Sequence, residues 1–440
     1  MKLTGLLRTP ESSTSGCPKP YGARMSLRPR ALVRAAAVAA CLLTLSPAVA
    51  HASVTADPTF GNRGQITIRP ECTYLDEPQL DPAGDLFVAE LCGTRQITVQ
   101  KVTAAGVIDE TFGNAGTASI AASRADVSAD CPNSCGWSIA PTATGVFATS
   151  YSETYNRHGE GTAHIAVARL TADGTVDRTF GRNGLFKLNL PGAGGASFTA
   201  DPRGRLVINA PRSTSAAEIM RVTADGKLDR TFSGDGRLLV KGAYDALVTP
   251  TAGAVWITRG KQYKVSRNRV ADGTAVIKLK NNGRRDAAFG RKGSVLVKHS
   301  AIGGSQTVTL DRPLLVEDGR GRANLIVGEA NGRWVDWERL TRSGKIDRGF
   351  ARRTTPIRGT QRNSVLTQSW GLVGGKLSML WVRFELGGPM PVYLSQVNAA
   401  GNVTRTKCVD CRVMDPNRPH VYASDSSRSG AQTIRRMKVN

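Results

Sequence analysis

Three groups of residues in this 440-residue chain have types and spacings that could do chemistry. Six cysteines, Cys72, Cys92, Cys131, Cys135, Cys408 and Cys411, end in a C-x-x-C. Thiols so spaced can pair as disulfides, hold zinc or act as a redox dithiol. The stretch YSETYNRHGEG (151–161) gathers Tyr151, Tyr155, His158 and Glu160, and a histidine beside a carboxylate has the parts of an acid/base pair. The stretch RGKQYKVSRNR (259–269) sets Lys261, Lys264, Arg267 and Arg269, with Arg259, around Tyr263. Its cations suit phosphate or carboxylate groups, and the interleaved tyrosine suits a sugar chain. No H-E-x-x-H, G-x-S-x-G or phosphate loop is present, so no reaction is announced by a motif.

The elements that must position these groups are short. Forty-seven Gly and 21 Pro break the chain too often for long helical bundles. The length exceeds any peptide-sized disulfide scaffold. A formal charge of +24 favours anionic partners and says nothing about fold.

The amino terminus reads as an address. After Met25 come MSLRPRALVR, an apolar run and Ala50-His51-Ala52, the order of a secretory signal with an A-x-A site. Cleavage is expected after Ala52, with Met25 an alternative start. Cys41 stands in a lipoprotein-like box, but the apolar run continues past it, which argues against a lipid anchor. Nothing downstream is apolar and long enough to span a membrane. Residues 1–52 hold seven Lys/Arg and one Glu, so +24 becomes +18 without them. Six cysteines in an exported chain are expected to form disulfides.

A repeat organises residues 53–440. DPTFGNRG (57–64), DETFGNAG (109–116), DRTFGRNG (177–184) and DRTFSGDG (229–236) are followed by DAAFGRKG (286–293) and DRGFARRT (347–354). TRTKCVDC (404–411) reads as a seventh, degenerate copy with Lys407 in the Phe place. Upstream of most copies lies an alternating segment ending in a glycine turn, as in AHIAVARLTADG (163–174), and before that a D-x-x-G-like turn and an apolar strand. Each repeat therefore reads as four antiparallel strands, beginning with the one that follows the Phe motif. A four-stranded sheet with two apolar faces cannot bury them alone, so seven sheets are expected to stack radially as an all-β, seven-bladed β-propeller. TIRRMKVN (433–440) should meet the mature start SVTADPTFG (53–61) and close the ring. Within the motif, Asp177 and Thr179 are expected to bind nearby backbone amides, and Phe180 to wedge between sheets.

The same residues resemble the delta-sixty repeat family of bacterial β-propellers, whose signature is A-D-G-x-L-D-x-T-F-G-x-x-G. The match is closest at LTADGTVDRTFGRNG (170–184) and VTADGKLDRTFSGDG (222–236). The resemblance implies a propeller in an exported or surface protein and brings no catalytic residue with it. Ala351 and Lys407 depart from the pattern.

Alternating strands put both tyrosine- and lysine-bearing loops on one face and the D-x-x-G turns and Phe motifs on the other. On the loop face Cys72 is expected to pair with Cys92, while Cys131 with Cys135 and Cys408 with Cys411 pair locally. Zinc is disfavoured because the last two pairs lie in different blades, and redox chemistry because no helix terminus activates Cys408. The function expected is a non-enzymatic, monomeric, exported binding protein without cofactor or metal. Its partner is an anionic cell-wall polymer or a surface protein, not a specific nucleic acid. The alternative is a glycan hydrolase or lyase at the channel mouth near His158 and Glu160.

Overall fold

A computed structural model describes residues 53–68, 74–75, 77–92, 96–121, 136–213, 215–267, 269–298, 313–328, 334–350, 353–356, 365–383, 391–398, 402–415, 418–426 and 431–440. All belong to the compact unit His51–Asn440. The fold is a seven-bladed β-propeller of four-stranded antiparallel sheets, and no helix occurs among the described residues. Cys72, Cys131, Cys135 and residues 1–52 lie outside the described residues, as do the side chains of Cys92 and Arg269.

The first blade places Tyr74–Leu75 and Gln79–Leu80 on Leu86–Cys92, followed by Gln96–Val102 and Thr117–Ala121. Blade 2 comprises Gly136–Thr142, Gly145–Tyr155, Gly161–Thr171 and Leu185–Pro191. Blade 3 is Ser197–Ala200, Leu206–Ser213, Ala216–Val222 and Arg237–Lys241; blade 4 is Leu247–Pro250, Ala254–Ser266, Arg269–Lys280 and Ser294–Lys298. Leu314–Glu317, Ala323–Gly328, Trp334–Leu340 and Arg353–Pro356 form blade 5, and Val365–Val373, Lys376–Arg383, Val392–Val397 and Val403–Lys407 form blade 6. Blade 7 combines Cys411–Met414, His420–Ser426 and Gln432–Val439 with two amino-terminal strands, Val54–Ala56 and Gln65–Ile68.

Ring closure is the last of these pairings. Val54 lies opposite Val439, and Gln65 opposite Arg435. First strands of successive blades touch one another, which places them around the axis. Apolar side chains sit between sheets, as the third strand of blade 3, AAEIMRV, shows by being buried at every position. Each of the seven junctions between adjacent blades holds one buried cluster. Trp256, Trp337 and Trp381 are core residues, each at most 1% exposed.

Two sequence expectations are corrected here. The strand after each Phe motif does not begin a blade; it is the outermost strand of the blade that precedes it, so the sequence repeat and the sheet are one strand out of phase. The face assigned to each link survives this shift, because strand direction is unchanged. Residues 404–411 are not a degenerate Phe motif either. In blade 6 the third strand turns into Val403–Lys407 through Asn398 and Asn402, with no inserted motif, and Cys408-Val409-Asp410-Cys411 is the link to blade 7.

Candidate functional site

Each Phe motif turns out to be a joint between blades. Asp57, Asp109, Asp177, Asp229, Asp286 and Asp347 each accept a hydrogen bond at Oδ1 from the backbone N–H two residues on, an Asx turn as expected. The aromatic ring that follows is buried: Phe60, Phe180, Phe232 and Phe289 are at 0% exposure, Phe112 at 1% and Phe350 at 4%. The next N–H then reaches the glycine turn of the following blade. Gly61 donates to Ala105 O at 2.7 Å, Gly113 to Asp173 O at 2.6 Å, Gly181 to Asp225 O at 2.8 Å, and Ser233 and Gly290 to Asn282 O and Ser343 O at 2.9 Å.

A column of cations completes the joint and is the feature that reading the repeat did not find. Lys101, Arg169, Arg221, Lys278 and Arg339 each stand five residues before a turn glycine, and Arg436 occupies the matching place. Each pairs with the motif aspartate of its own blade, at 2.8, 3.0, 2.8, 3.5, 2.7 and 2.9 Å respectively. Arg169 and Arg221 also donate to Ala224 O and Asn281 O of the next blade, at 3.2 and 2.5 Å, and Arg436 donates to Ala104 O. Burial alone would raise the carboxyl pKa of Asp57, Asp177, Asp229 and Asp347, but hydrogen bonds and the cation outweigh it and hold each below the usual value. Part of the chain's positive charge is therefore consumed inside the ring. Blade 6, with Gln396 in the cation position, has neither the aspartate nor the Phe. Its junction with blade 7 is filled instead by the bonded pair Cys408 and Cys411, 1% and 0% exposed, among Val392, Leu394, Val421 and Val439.

The opposite face carries the two long hairpins. In blade 2, Tyr151, Glu153 and Tyr155 lie across from Ile165, Ala163 and Gly161. Ile165 and Ala163 belong to the core shared with Leu206, Ile208 and Met220 of blade 3, so this side of the hairpin faces blade 3. Tyr155 is 61% exposed, and its hydroxyl donates to Glu153 Oε2. His158 and Glu160 sit in the exposed tip. Glu160 Oε2 accepts from Asn156 Nδ2 at 2.7 Å, and His158 Nε2 accepts from Arg157 Nε at 3.1 Å, so neither uses the other as its partner in these contacts.

In blade 4, Val255 and Ile257 join the core shared with Val207, Ile219 and Phe232 of blade 3. Period two then carries Arg259, Lys261 and Tyr263 up the same side. The register adds a residue from the outer strand: Gly273 lies opposite both Lys261 and Lys298, and Lys298 Nζ stands 5.2 Å from the centre of the Tyr263 ring. Lys264 alternates to the other side and Arg267 is at the tip, both exposed. At the base of this wall the link between blades 3 and 4 covers Arg259, since a Cβ on Gly242 would lie 3.2 Å from its guanidinium nitrogens. Burial pushes the Arg259 pKa down, and neighbouring Asp245 pulls it the other way.

No group of three His, Cys, Asp or Glu that could hold a metal ion occurs among the described residues. A shallow, open depression of about 740 Å³ lies far from the hairpins, at the seam of blades 7 and 1, lined by Gln65, Ile66, Thr67, Val107 and Glu110 among others.

A family described as a domain of unknown function (DUF5122), beta-propeller, matches residues 153–180. That match runs from the end of Gly145–Tyr155 through the hairpin tip and Gly161–Thr171 to Phe180. No curated protein matches the chain. Among solved structures it is similar to the β-propeller domain of the Trilobed protease from Pyrococcus furiosus, at 10% identity and a TM-score of 0.42, covering 84% of this chain and 94% of that one. It is also similar to the polysaccharide lyase Uly1, at 9% identity and a TM-score of 0.43, covering 86% and 91%. A third is xylan beta-1,4-xylosidase from Bacillus Halodurans C-125, at 9% and 0.30, covering 88% and 91%.

Proposed function

We propose that this chain is an exported, non-enzymatic propeller that binds a polyanionic cell-surface polymer through the blade 4 hairpin. The observation that carries the reading is the convergence of Arg259, Lys261, Tyr263 and Lys298 on one side of that hairpin, with Lys264 and Arg267 exposed beside them. Cations held on paired strands lose little freedom when they engage anions, and they sit above the scaffold rather than in its ion-pair column. The likeness of the repeats to the delta-sixty pattern and the signal-like amino terminus support an exported location. The non-enzymatic part is supported by His158 and Glu160, which bond within their own exposed turn.

The test is binding of the mature chain to teichoic acid and to an anionic polysaccharide, with and without neutralisation of Lys261, Lys264, Arg267 and Arg269. Binding that weakens with salt and disappears in the neutralised variant is expected. Absence of binding to either polymer, or binding indifferent to the four substitutions, rejects the reading.

A further inference from the structure

Blade 3 lies low between two tall neighbours. Its second and third strands are eight and seven residues long. The corresponding second strands of blades 2 and 4 rise from equivalent turns for 11 and 13 residues. At about 3.3 Å per residue, with the later start of the blade 3 strand and the bulges in blades 3 and 4 taken into account, the two flanking hairpins overtop blade 3 by roughly 10 and 13 Å. Both present their decorated sides inward, because the cores beneath them are shared with blade 3 on each flank. The result is a saddle whose walls are two sheet spacings apart, about 20 Å.

The walls differ in chemistry. Blade 2 contributes Glu153 and the exposed ring of Tyr155, while blade 4 contributes Arg259, Lys261 and Lys298. Between them Tyr244, 49% exposed, stands in the link leaving blade 3. Rings offered edge-on or face-on to solvent gain by covering apolar ligand surface, and the cationic wall needs anionic groups on the same ligand. A polyol phosphate answers only the second demand, having no ring face. A chain of sugar rings bearing carboxylates answers both.

We infer that the saddle over blade 3 is the polymer seat and that its occupant is an acidic polysaccharide, engaged by sugar faces at Tyr155 and by carboxylates at Lys261 and Lys298. This rests on the anionic-polymer reading above and narrows it. The experiment measures binding of the mature chain by calorimetry to polygalacturonate, to poly(glycerol phosphate) of matched charge, and to neutral dextran. Polygalacturonate should bind at least several-fold tighter than poly(glycerol phosphate), and dextran should not bind. Tyr155→Ala should weaken polygalacturonate about tenfold and leave poly(glycerol phosphate) unchanged, with Tyr155→Phe restoring affinity. K261Q/K298Q should weaken both polymers. K227Q/K345Q, an equal loss of charge on the motif face, should change neither by more than about twofold. Circular dichroism and thermal midpoints verify that each variant folds.

If K227Q/K345Q costs as much as K261Q/K298Q, attraction is a diffuse field and the saddle is rejected while the polymer reading stands. If Tyr155→Ala is silent for polygalacturonate, the sugar-face contact is overturned. Failure of the unsubstituted chain to bind any anionic polymer removes the parent reading instead.

Discussion

Arg436 and Asp57 lie 379 positions apart and share a 2.9 Å charged hydrogen bond, with side chains 8% and 9% exposed. The same guanidinium donates to Thr59 Oγ1 at 2.9 Å and to Ala104 O of blade 1. One side chain thus ties the carboxy-terminal strand, the amino-terminal motif and the next blade together.

Removing one partner leaves a buried charge unmatched. Arg436→Met is expected to destabilise the fold by about 3–5 kcal/mol, read as a lower urea midpoint. Lys227→Met, which breaks the exposed pair with Asp225, should move the midpoint hardly at all. Equal effects would mean that the joint is not where the ring's ionic stability resides.

Gly174 has φ +82°, and a Cβ there would lie 2.6 Å from the backbone N of Gly113 in the preceding blade. Gly174→Ala should therefore cost at least about 1–3 kcal/mol through strain and loss of the inter-blade contact. Gly194 has open space around its Cβ position, so Gly194→Ala is expected to be neutral or stabilising by about 0.4–1 kcal/mol. Thermal midpoints of the two variants check the contrast.

The Cys408–Cys411 bond sits at the junction that lacks a Phe wedge. Closing so short a loop is worth about 2 kcal/mol by chain entropy. Reduction, or the double change to serine, should lower the thermal midpoint and speed hydrogen exchange in Val403–Lys407 and Cys411–Met414 first. Exchange that rises evenly around the ring would contradict this placement.

His420 stands 3.3 Å from Asp57 at the closure. Burial first, then the field of Arg436, holds its pKa below 6.5, against the pull of Asp57 and Asp415. The unfolded chain therefore binds this proton more readily than the folded one. Its stability contribution is complete above pH 6.5 and is lost as pH falls through the folded-state value. The motif aspartates, also lowered, lose theirs only below about 3.8. Urea midpoints measured from pH 7.5 to 5 should decline, and His420→Gln should flatten that decline.

Much of this was legible because the motif dictates its own geometry. Glycine turns, the Asp-x-Thr-Phe link and alternating strands specify four-stranded sheets, and a strand left over at each end specifies closure. The phase error at each Phe motif has a physical origin: the link is continuous, and nothing within it marks which sheet the next strand joins. The cation column was hidden because an arginine in an alternating strand reads as solvent-facing. Arg221 is 1% exposed, neutralised by Asp229 from a link eight residues on. Lys298 escaped because only the register of blade 4 brings it beside Tyr263, and Lys264 was grouped with Lys261 because proximity in sequence conceals the change of side.

Val54–Ala56 and Gln65–Ile68 have one partner strand, Gln432–Val439. During synthesis the earliest segment of the domain must wait for the latest, so completion of the hoop is an inherently long-range, late event. Until then blade 7 presents raw strand edges to other chains. A copy that lacks Gln432–Val439 therefore leaves both amino-terminal strands without their partner, and its ring stays unclasped.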